Sequence, residues 1–168
     1  MNQYEVSVSR VIDAPPAAVY AVFADYHQGH AAVLPKPYFT EMTVDKGGTG
    51  AGTEITVKMN VFGAKVTYHM VVTEPEPGRV LQEEDKAAGV LTTFTMDPVN
   101  DGQATNVTLY TRAKTAPGLK GFIEKLITPP ISRKIYNEEL DLLAAYVQKG
   151  PVLAGRKTIT FPKRGNNK

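Results

Sequence analysis

Hydrophobic and polar residues alternate along most of the chain up to residue 114. This alternation is typical of strands that bury one face and expose the other. Segments rich in glycine or proline, together with an Asn-Asp-Gly sequence, separate the alternating runs and favour tight turns. The pattern predicts seven strands, which span residues 4–12, 38–46, 53–62, 64–74, 79–85, 89–97 and 104–114.

The segment between the first two strands has helical rather than alternating spacing. Pro15 and Pro16 can open a helix but cannot continue one. After them, apolar residues recur at intervals of three or four, at Val19, Val22, Phe23 and Tyr26. A shorter segment over residues 27–34 follows and ends at Pro35. We therefore expect two short helices between the first and second strands.

A much longer helical stripe lies near the C-terminus, where apolar residues recur at steps of three and four from Leu119 to Val147. Thr128 and two consecutive prolines, Pro129 and Pro130, interrupt this run. Because a proline inside a helix costs roughly 3 kcal/mol, an unbroken helix is disfavoured. We expect a short helix over residues 119–127, a break, and a main helix that starts near Pro130 and ends by residue 150.

The strands each have one apolar face that needs cover, and the long helical run supplies the largest apolar surface. The sequence therefore predicts an α+β fold in which a curved antiparallel sheet is closed by one long helix. Residues 1–149 are expected to form a single domain, because a chain of 168 residues can bury one sizeable core. Residues 150–168 form a basic C-terminal tail that we expect to be flexible.

Charge and composition exclude several classes of protein. The net charge of +2 is a property of the C-terminal end, because residues 149–168 contain six Lys or Arg and no Asp or Glu. We therefore expect no nucleic-acid partner. The absence of Cys excludes disulfides, thiolate zinc sites and a Cys nucleophile. With no signal-like N-terminus and no apolar run of membrane length, we expect a cytoplasmic monomer or homodimer without stable membrane insertion.

Several short motifs resemble those of one superfamily. Residues 12–20, Ile-Asp-Ala-Pro-Pro-Ala-Ala-Val-Tyr, join a strand to the first helix through an Ala-Pro-x-x-x-Val motif. The Glu-Pro-Glu-Pro-Gly-Arg-Val-Leu turn at residues 74–81 and the Asp-Gly hairpin at residues 101–102 also resemble turns of the same superfamily. Over about residues 3–148 the chain resembles the START-related superfamily of polyketide cyclases and lipid-transfer proteins. The resemblance implies a helix-grip fold, in which a seven-stranded antiparallel sheet wraps around the C-terminal helix and leaves a cavity.

Such a START-like domain is expected to bind or transport a small hydrophobic ligand, such as a lipid, an isoprenoid or an aromatic polyketide. The alternative is an enzyme of the polyketide cyclase or dehydratase type that uses the same cavity. An enzyme of that kind needs an inward acid or base, for which His30 and Tyr68 are the leading candidates and His27 a further one. A third possibility is an interaction module whose groove binds a partner protein. We expect no cofactor.

Strand alternation and the helical stripe together predict which side chains face the ligand. Met59, Met70 and Met96 lie on inner faces and suit adaptable apolar binding or plain core packing. Polar inner-face groups are expected to bond one another or to orient a ligand carbonyl or hydroxyl. The predicted ligand-binding residues are Val57, Met59, Tyr68, Met70, Thr92, Phe94, Leu109, Thr111, Phe122, Leu126, Tyr136 and Leu140.

Three other clusters are interpreted as structural. The glycines of residues 47–52 are followed by a strand rather than a helix, so they predict a flexible hairpin and not a phosphate cradle. His27 and His30 lie three residues apart near Asp25, but His69 is expected on an outer face, so we expect no metal site. The acidic residues of a turn and a short strand are expected to form a solvated face; these are Glu74, Glu76, Glu83, Glu84 and Asp85.

Overall fold

The computed structural model describes residues 2–149, except for the side chains of Phe122 and Ile123. The basic tail predicted for residues 150–168 lies outside the described residues. No helix within residues 2–149 combines the length and the apolar character needed to cross a membrane.

Seven strands form one antiparallel sheet, as the alternating pattern predicts. Its spatial order is β1-β7-β6-β5-β4-β3-β2, so consecutive strands are neighbours except that β1 pairs with β7. A single 3-10 turn at Asn100–Gly102 joins β6 to β7. The strands are β1 (Gln3–Ile12), β2 (Phe39–Lys46), β3 (Glu54–Val61), β4 (Ala64–Glu76), β5 (Val80–Asp85), β6 (Val90–Val99) and β7 (Ala104–Lys114).

Within residues 2–149, three α-helices cover the sheet. Two short ones, α1 (Pro16–Ala24) and α2 (Gly29–Val33), lie in the connection between β1 and β2, where helical spacing predicted them. Pro16 occupies the start of α1, the position where its missing N–H costs nothing. The third helix, α3 (Gly118–Lys149), follows β7. Together with the curved sheet, these elements form the expected α+β helix-grip fold.

The predicted break in the C-terminal helical run is wrong, because α3 continues through Pro129 and Pro130. Each proline removes the hydrogen bond that its N–H would have donated to the carbonyl four residues earlier. The carbonyls affected belong to Lys125 and Leu126, and both residues are exposed, so water can satisfy them. The helix therefore loses two hydrogen bonds on its solvent side while its inner face stays continuous.

The packed core occupies one end of the molecule. There Val19 and Phe23 of α1 meet Leu81 and Val107 of the sheet and Leu143 from the second half of α3, and all five are fully buried. Arg10 of β1 also forms an ion pair with Asp141, which ties α3 to the edge of the sheet. The middle of α3, over residues 127–139, covers a part of the sheet where the interior is hollow.

Candidate functional site

A cavity of about 500 Å³ lies between the concave face of the sheet and the middle of α3, residues 127–139. Phe62, at the tip of the β3–β4 hairpin, and Ile127, on α3, line it and are exposed, so they mark its mouth. Most of the wall is apolar. The apolar wall residues include Leu34, Phe39, Met42, Val57, Met59, Val61, Val66, Met70, Val90, Phe94, Ile131 and Ile135.

Two acidic side chains and one imidazole interrupt this apolar lining. His30, Glu83 and Glu139 all line the cavity, and they are only 2%, 7% and 2% exposed. They come from three separate elements, α2, β5 and α3. Their burial places them away from the mouth, at the closed end of the cavity next to the packed core.

His30 is held in one orientation by its surroundings. Its Nδ1 lies 2.8 Å from the backbone oxygen of Phe23, and because a carbonyl only accepts, Nδ1 donates. The ring stacks on Tyr26 with 4.6 Å between centroids and 18° between planes. A Cβ on Gly29 would lie 2.5 Å from the backbone oxygen of Val22, so only glycine lets α2 pack this closely against α1. The remaining ring nitrogen, Nε2, therefore points toward Glu83.

Glu83 enters the cavity from β5, opposite Thr92 of β6. Its Oε1 accepts a 2.8 Å hydrogen bond from the Tyr26 hydroxyl and lies 3.5 Å from Nε2 of His30. Burial raises the pKa of the Tyr26 hydroxyl, and the negative charge of Glu83 raises that pKa further. Tyr26 therefore stays protonated and donates to the carboxylate.

Glu139 has no comparable partner. Its Oε1 is buried and accepts or donates no hydrogen bond among the described residues. Burial raises the pKa of Glu139 well above its usual value, and the negative charge of Glu83 raises it further. A carboxyl in this position holds its proton at higher pH than a solvated one and presents an O–H group next to a carboxylate.

Hydroxyl groups form a second polar feature of the wall. Thr92 and Thr111 share a 2.8 Å hydrogen bond between adjacent strands, and Thr111 shares a 2.5 Å hydrogen bond with the Tyr136 hydroxyl of α3. Desolvation raises the pKa of Tyr136 and of Tyr68, and it raises the pKa of Tyr4 to about 12. All of these hydroxyls stay neutral at physiological pH.

The structure places eight of the twelve predicted ligand-binding residues on the cavity wall, and His30 lies there too. They are Val57, Met59, Tyr68, Met70, Thr92, Phe94, Thr111 and Tyr136. The Phe122 side chain lies outside the described residues. The roles of these residues in binding stay predictions.

Three predicted residues lie elsewhere. Leu109 and Leu140 are completely buried in the packed core, because β7 and α3 both run on from the cavity into that core. Leu126 is 68% exposed. The inner face of α3 follows Ile127, Ile131 and Ile135 at intervals of four, and Leu126 lies about 100° around the helix from that face.

The interpretation of the acidic run is wrong for two residues. Glu83 faces the cavity, and Asp85, which is 5% exposed, accepts hydrogen bonds from the backbone N–H groups of His69 and Ala88. Burial alone would raise the pKa of Asp85, but these and a third backbone donor lower it below its usual value. Asp85 therefore stabilises a turn, whereas Glu83 belongs to the cavity.

His27 and His30 point in different directions. The His27 ring is exposed and occupies the space beside Gly48 where a Cβ would otherwise stand, whereas His30 is buried in its stack on Tyr26. The glycine-rich connection is an ordered support: Gly48 O accepts from Tyr26 N at 3.0 Å, and Gly50 N donates to Ala24 O at 2.9 Å. No group of three or more His, Cys, Asp or Glu side chains suited to a metal ion occurs in residues 2–149.

Sequence patterns contained signals for the two carboxyl groups that were missed. Glu83 has the same strand parity as Leu81, which is fully buried, so alternation along β5 points it inward. Glu139 continues the spacing of Ile131 and Ile135 at intervals of four along α3. Both signals were overridden by the ordinary expectation that carboxylates face water.

Solved structures with a similar fold include two enzymes. The KanY protein is 30% identical to the chain, with a TM-score of 0.76, and the match covers 88% of this chain and 99% of KanY. The Zhui aromatase/cyclase from Streptomyces sp. R1128 is 16% identical, with a TM-score of 0.69 and coverage of 88% and 94%. Norcoclaurine synthase from Thalictrum flavum is 13% identical, with a TM-score of 0.64 and coverage of 88% of both chains.

Comparison with curated protein sequences gave no significant match. The family described as polyketide cyclase / dehydrase and lipid transport matches residues 3–148, nearly the whole described part of the chain. With this coverage and the helix-grip architecture, the chain belongs to the polyketide cyclase/dehydrase and lipid transport family.

Proposed function

We propose that this protein binds a small hydrophobic molecule in the cavity between the sheet and α3. The observation that carries the proposal is the cavity itself: about 500 Å³ with a mostly apolar wall and a mouth at Phe62 and Ile127. This volume lies within the range of about 300–1,000 Å³ that is common for ligand pockets. A lipid fragment, an isoprenoid or an aromatic polyketide is compatible with its size.

An apolar hollow of this size is costly to maintain. Measured cavity costs of about 24 cal/mol per Å³, scaled linearly, give an upper limit of about 12 kcal/mol for the volume observed. The net stability of a whole domain is only about 5–15 kcal/mol. A bound ligand that fills the space recovers much of this cost, which favours a binding role over incomplete packing.

The similar structures support a small-molecule role. One of them is an aromatase/cyclase, and norcoclaurine synthase was solved in complex with dopamine and hydroxybenzaldehyde. Both are less than 25% identical to this chain, so their fold is the feature that transfers. Aromatic molecules of that size are therefore suitable first probes for the cavity.

A fluorescence titration with the neutral dye Nile red tests the proposal, because its emission increases in an apolar site. Val66 lines the cavity, whereas Val71 on the same strand is exposed on the outer face. We expect Val66→Phe to weaken dye binding by about tenfold through lost volume, and the matched variant Val71→Phe to leave it unchanged. Absence of dye binding, or equal effects of both variants, would contradict a cavity-binding function.

An enzyme of the cyclase or dehydratase type is the second candidate. The observation that favours it is the placement of His30, Glu83 and Glu139 in the cavity wall, because proton transfer needs an acid and a base next to substrate. His30 Nε2 is the candidate base, Glu139 the candidate acid, and Tyr68 a further hydroxyl donor.

Molecules that co-purify with the protein can be extracted and incubated with it to separate the two candidates. An enzyme converts the compound to a new product detected by mass spectrometry, and His30→Ala or Tyr68→Phe abolishes conversion while the compound still binds. A carrier returns the compound unchanged, and the same substitutions reduce only its affinity.

A further inference from the structure

In the part of the chain that the structure describes, the ionisable side chains that line the cavity include two acids and no permanently basic group. Its wall contains the carboxyl groups of Glu83 and Glu139 and the imidazole of His30. Among the described residues that line it there is no Lys or Arg. A ligand with a carboxylate or phosphate at this end would face two carboxyl groups and no fixed cation. The arrangement therefore disfavours anionic ligands and leaves neutral and cationic ones.

Glu83 already has partners, but Glu139 does not. Tyr26 donates to Glu83 at 2.8 Å and His30 Nε2 lies 3.5 Å from the same oxygen. Glu139 is 2% exposed, lines the cavity, and has a buried oxygen without a hydrogen-bond partner in the described residues. Buried polar atoms are nearly always hydrogen-bonded, so this oxygen marks a place where a ligand group completes the structure.

We propose that the cavity binds an apolar molecule with one basic amine, whose ammonium group pairs with Glu139 beside Glu83. This inference rests on the proposed function and names its ligand class. An ammonium group carries three N–H donors, which suits an oxygen without a partner and a nearby carboxylate. Phe94 also lines the cavity, and aromatic rings attract cations placed over their faces.

Binding of an ammonium group has a consequence for protons. Burial and the charge of Glu83 raise the pKa of Glu139, so at a pH between its usual and its raised value the free protein carries a proton there. When the ammonium pairs with the carboxylate, that proton leaves for solvent, and one proton is released per ligand bound. The titratable groups around Glu139 are Glu83 on β5, His30 on α2, Tyr26 before α2, and Tyr136 on α3.

Three probes with the same aromatic body test the charge preference: naphthylethylamine, naphthylethanol and naphthylacetate. The chain has no Trp, so naphthyl fluorescence is observed without interference from indole. We expect the amine to bind about tenfold more tightly than the alcohol, a difference of about 1.4 kcal/mol, and the acetate to bind most weakly. Calorimetry in buffers of different ionisation enthalpy is expected to show release of about one proton with the amine and none with the alcohol.

The substitution Glu139→Gln keeps the shape of the side chain and removes its acid. We expect it to abolish the preference for the amine over the alcohol, so that the two probes bind with affinities within about twofold of each other. Glu138→Gln, one residue earlier and outside the cavity, serves as the matched control and is expected to keep the preference. Circular dichroism checks that each variant is folded, and proton release in the unaltered protein tests the inference independently of both variants.

The outcomes separate the inference from the function on which it rests. If Nile red and naphthylethanol bind but the amine has no advantage, the amine inference is overturned and cavity binding stands. If Glu139→Gln keeps the preference, the pairing with Glu139 is overturned. If the amine binds without release of a proton, protonation of Glu139 in the free protein is overturned. If Nile red and all three naphthyl probes fail to bind, the cavity-binding function and the amine inference are both overturned.

Discussion

The hydroxyl of Tyr26 donates a 2.8 Å hydrogen bond to Oε1 of Glu83, across 57 positions of sequence. Tyr26 follows α1 and is 1% exposed, and Glu83 lies in the middle of β5. This bond gives the buried carboxylate a fixed donor and joins the two short helices to the sheet. Since His30 stacks on Tyr26, the same residue also fixes the imidazole next to the carboxylate.

Replacing Tyr26 with Phe is expected to destabilise the protein. The change removes the donor to a buried carboxylate while it keeps the ring, and hydrogen bonds to charged groups contribute about 1.5–3 kcal/mol. We expect the free energy of unfolding in urea to fall by that amount. Tyr110→Phe, on the outer face of β7, is the control and is expected to change it by less than about 0.5 kcal/mol. Equal effects would mean that the Tyr26 hydroxyl does not stabilise Glu83.

Glu139 predicts a pH dependence of stability. Its pKa in the folded state is raised above its usual value of 4.5 by burial and by Glu83, so the folded protein holds a proton that the unfolded chain releases. The resulting stabilisation is complete below the unfolded value and is lost as the pH rises through the folded value, by up to about 1.4 kcal/mol per pH unit. Glu139→Gln has no such proton and is expected to lack this loss.

The measurement is urea unfolding of the unaltered protein and the variant at about pH 5 and about pH 8. We expect the free energy of unfolding of Glu139→Gln, relative to that of the unaltered protein, to be higher at about pH 8 than at about pH 5. Glu138→Gln should follow the unaltered protein at both. A constant difference between Glu139→Gln and the unaltered protein would show that Glu139 titrates normally.

The fold was largely predictable from the sequence, because alternation and helical spacing report the side of an element that is buried. The register of β3 and β4 pairs Val57 with Tyr68 and Ile55 with Met70, so residues predicted on inner faces are neighbours. The predicted break at Pro129 and Pro130 was wrong because the prediction considered only the local cost of proline. The carbonyls that lose their hydrogen bonds lie at an exposed position of the helix. That position is a tertiary property.

The site was predictable only in its apolar part. Strand parity identified residues such as Met59 and Phe94. It also pointed Glu83 inward, but the general rule that carboxylates face water outweighed that signal. The meeting of Glu83, Glu139 and His30 depends on how β5, α3 and α2 approach one another. Glu83 and His30 alone are separated by 53 positions of sequence. Local patterns do not encode that approach.

Gly48 is expected to tolerate no side chain. Its φ of +128° disfavours other residues, and a Cβ there would overlap the His27 ring. Gly52, with a φ of +84° and no atom near its would-be Cβ, is the matched control for the backbone cost alone. We expect Gly48→Ala to reduce the free energy of unfolding by about 1–3 kcal/mol more than Gly52→Ala does, measured in urea. Equal losses would mean that His27 moves aside freely.

Phe62 combines strain with exposure at the cavity mouth. Its φ is +51°, a conformation that bulky residues rarely adopt, and its side chain is 72% exposed. Asn accepts this conformation far more readily, and Asn before Gly63 suits a two-residue hairpin turn. We expect Phe62→Asn to be about 1 kcal/mol more stable than Phe62→Ala in urea unfolding.

Both substitutions at Phe62 remove the ring, so both are expected to weaken Nile red binding by a similar factor of about two to five. The exposed ring is then retained for ligand entry or contact at a cost in stability. If the Asn and Ala variants are equally stable, the turn is not strained by Phe62. If both keep full affinity for the dye, the ring does not contribute to the mouth, and the sites of entry must be sought along Ile127 and Ile131 of α3 instead.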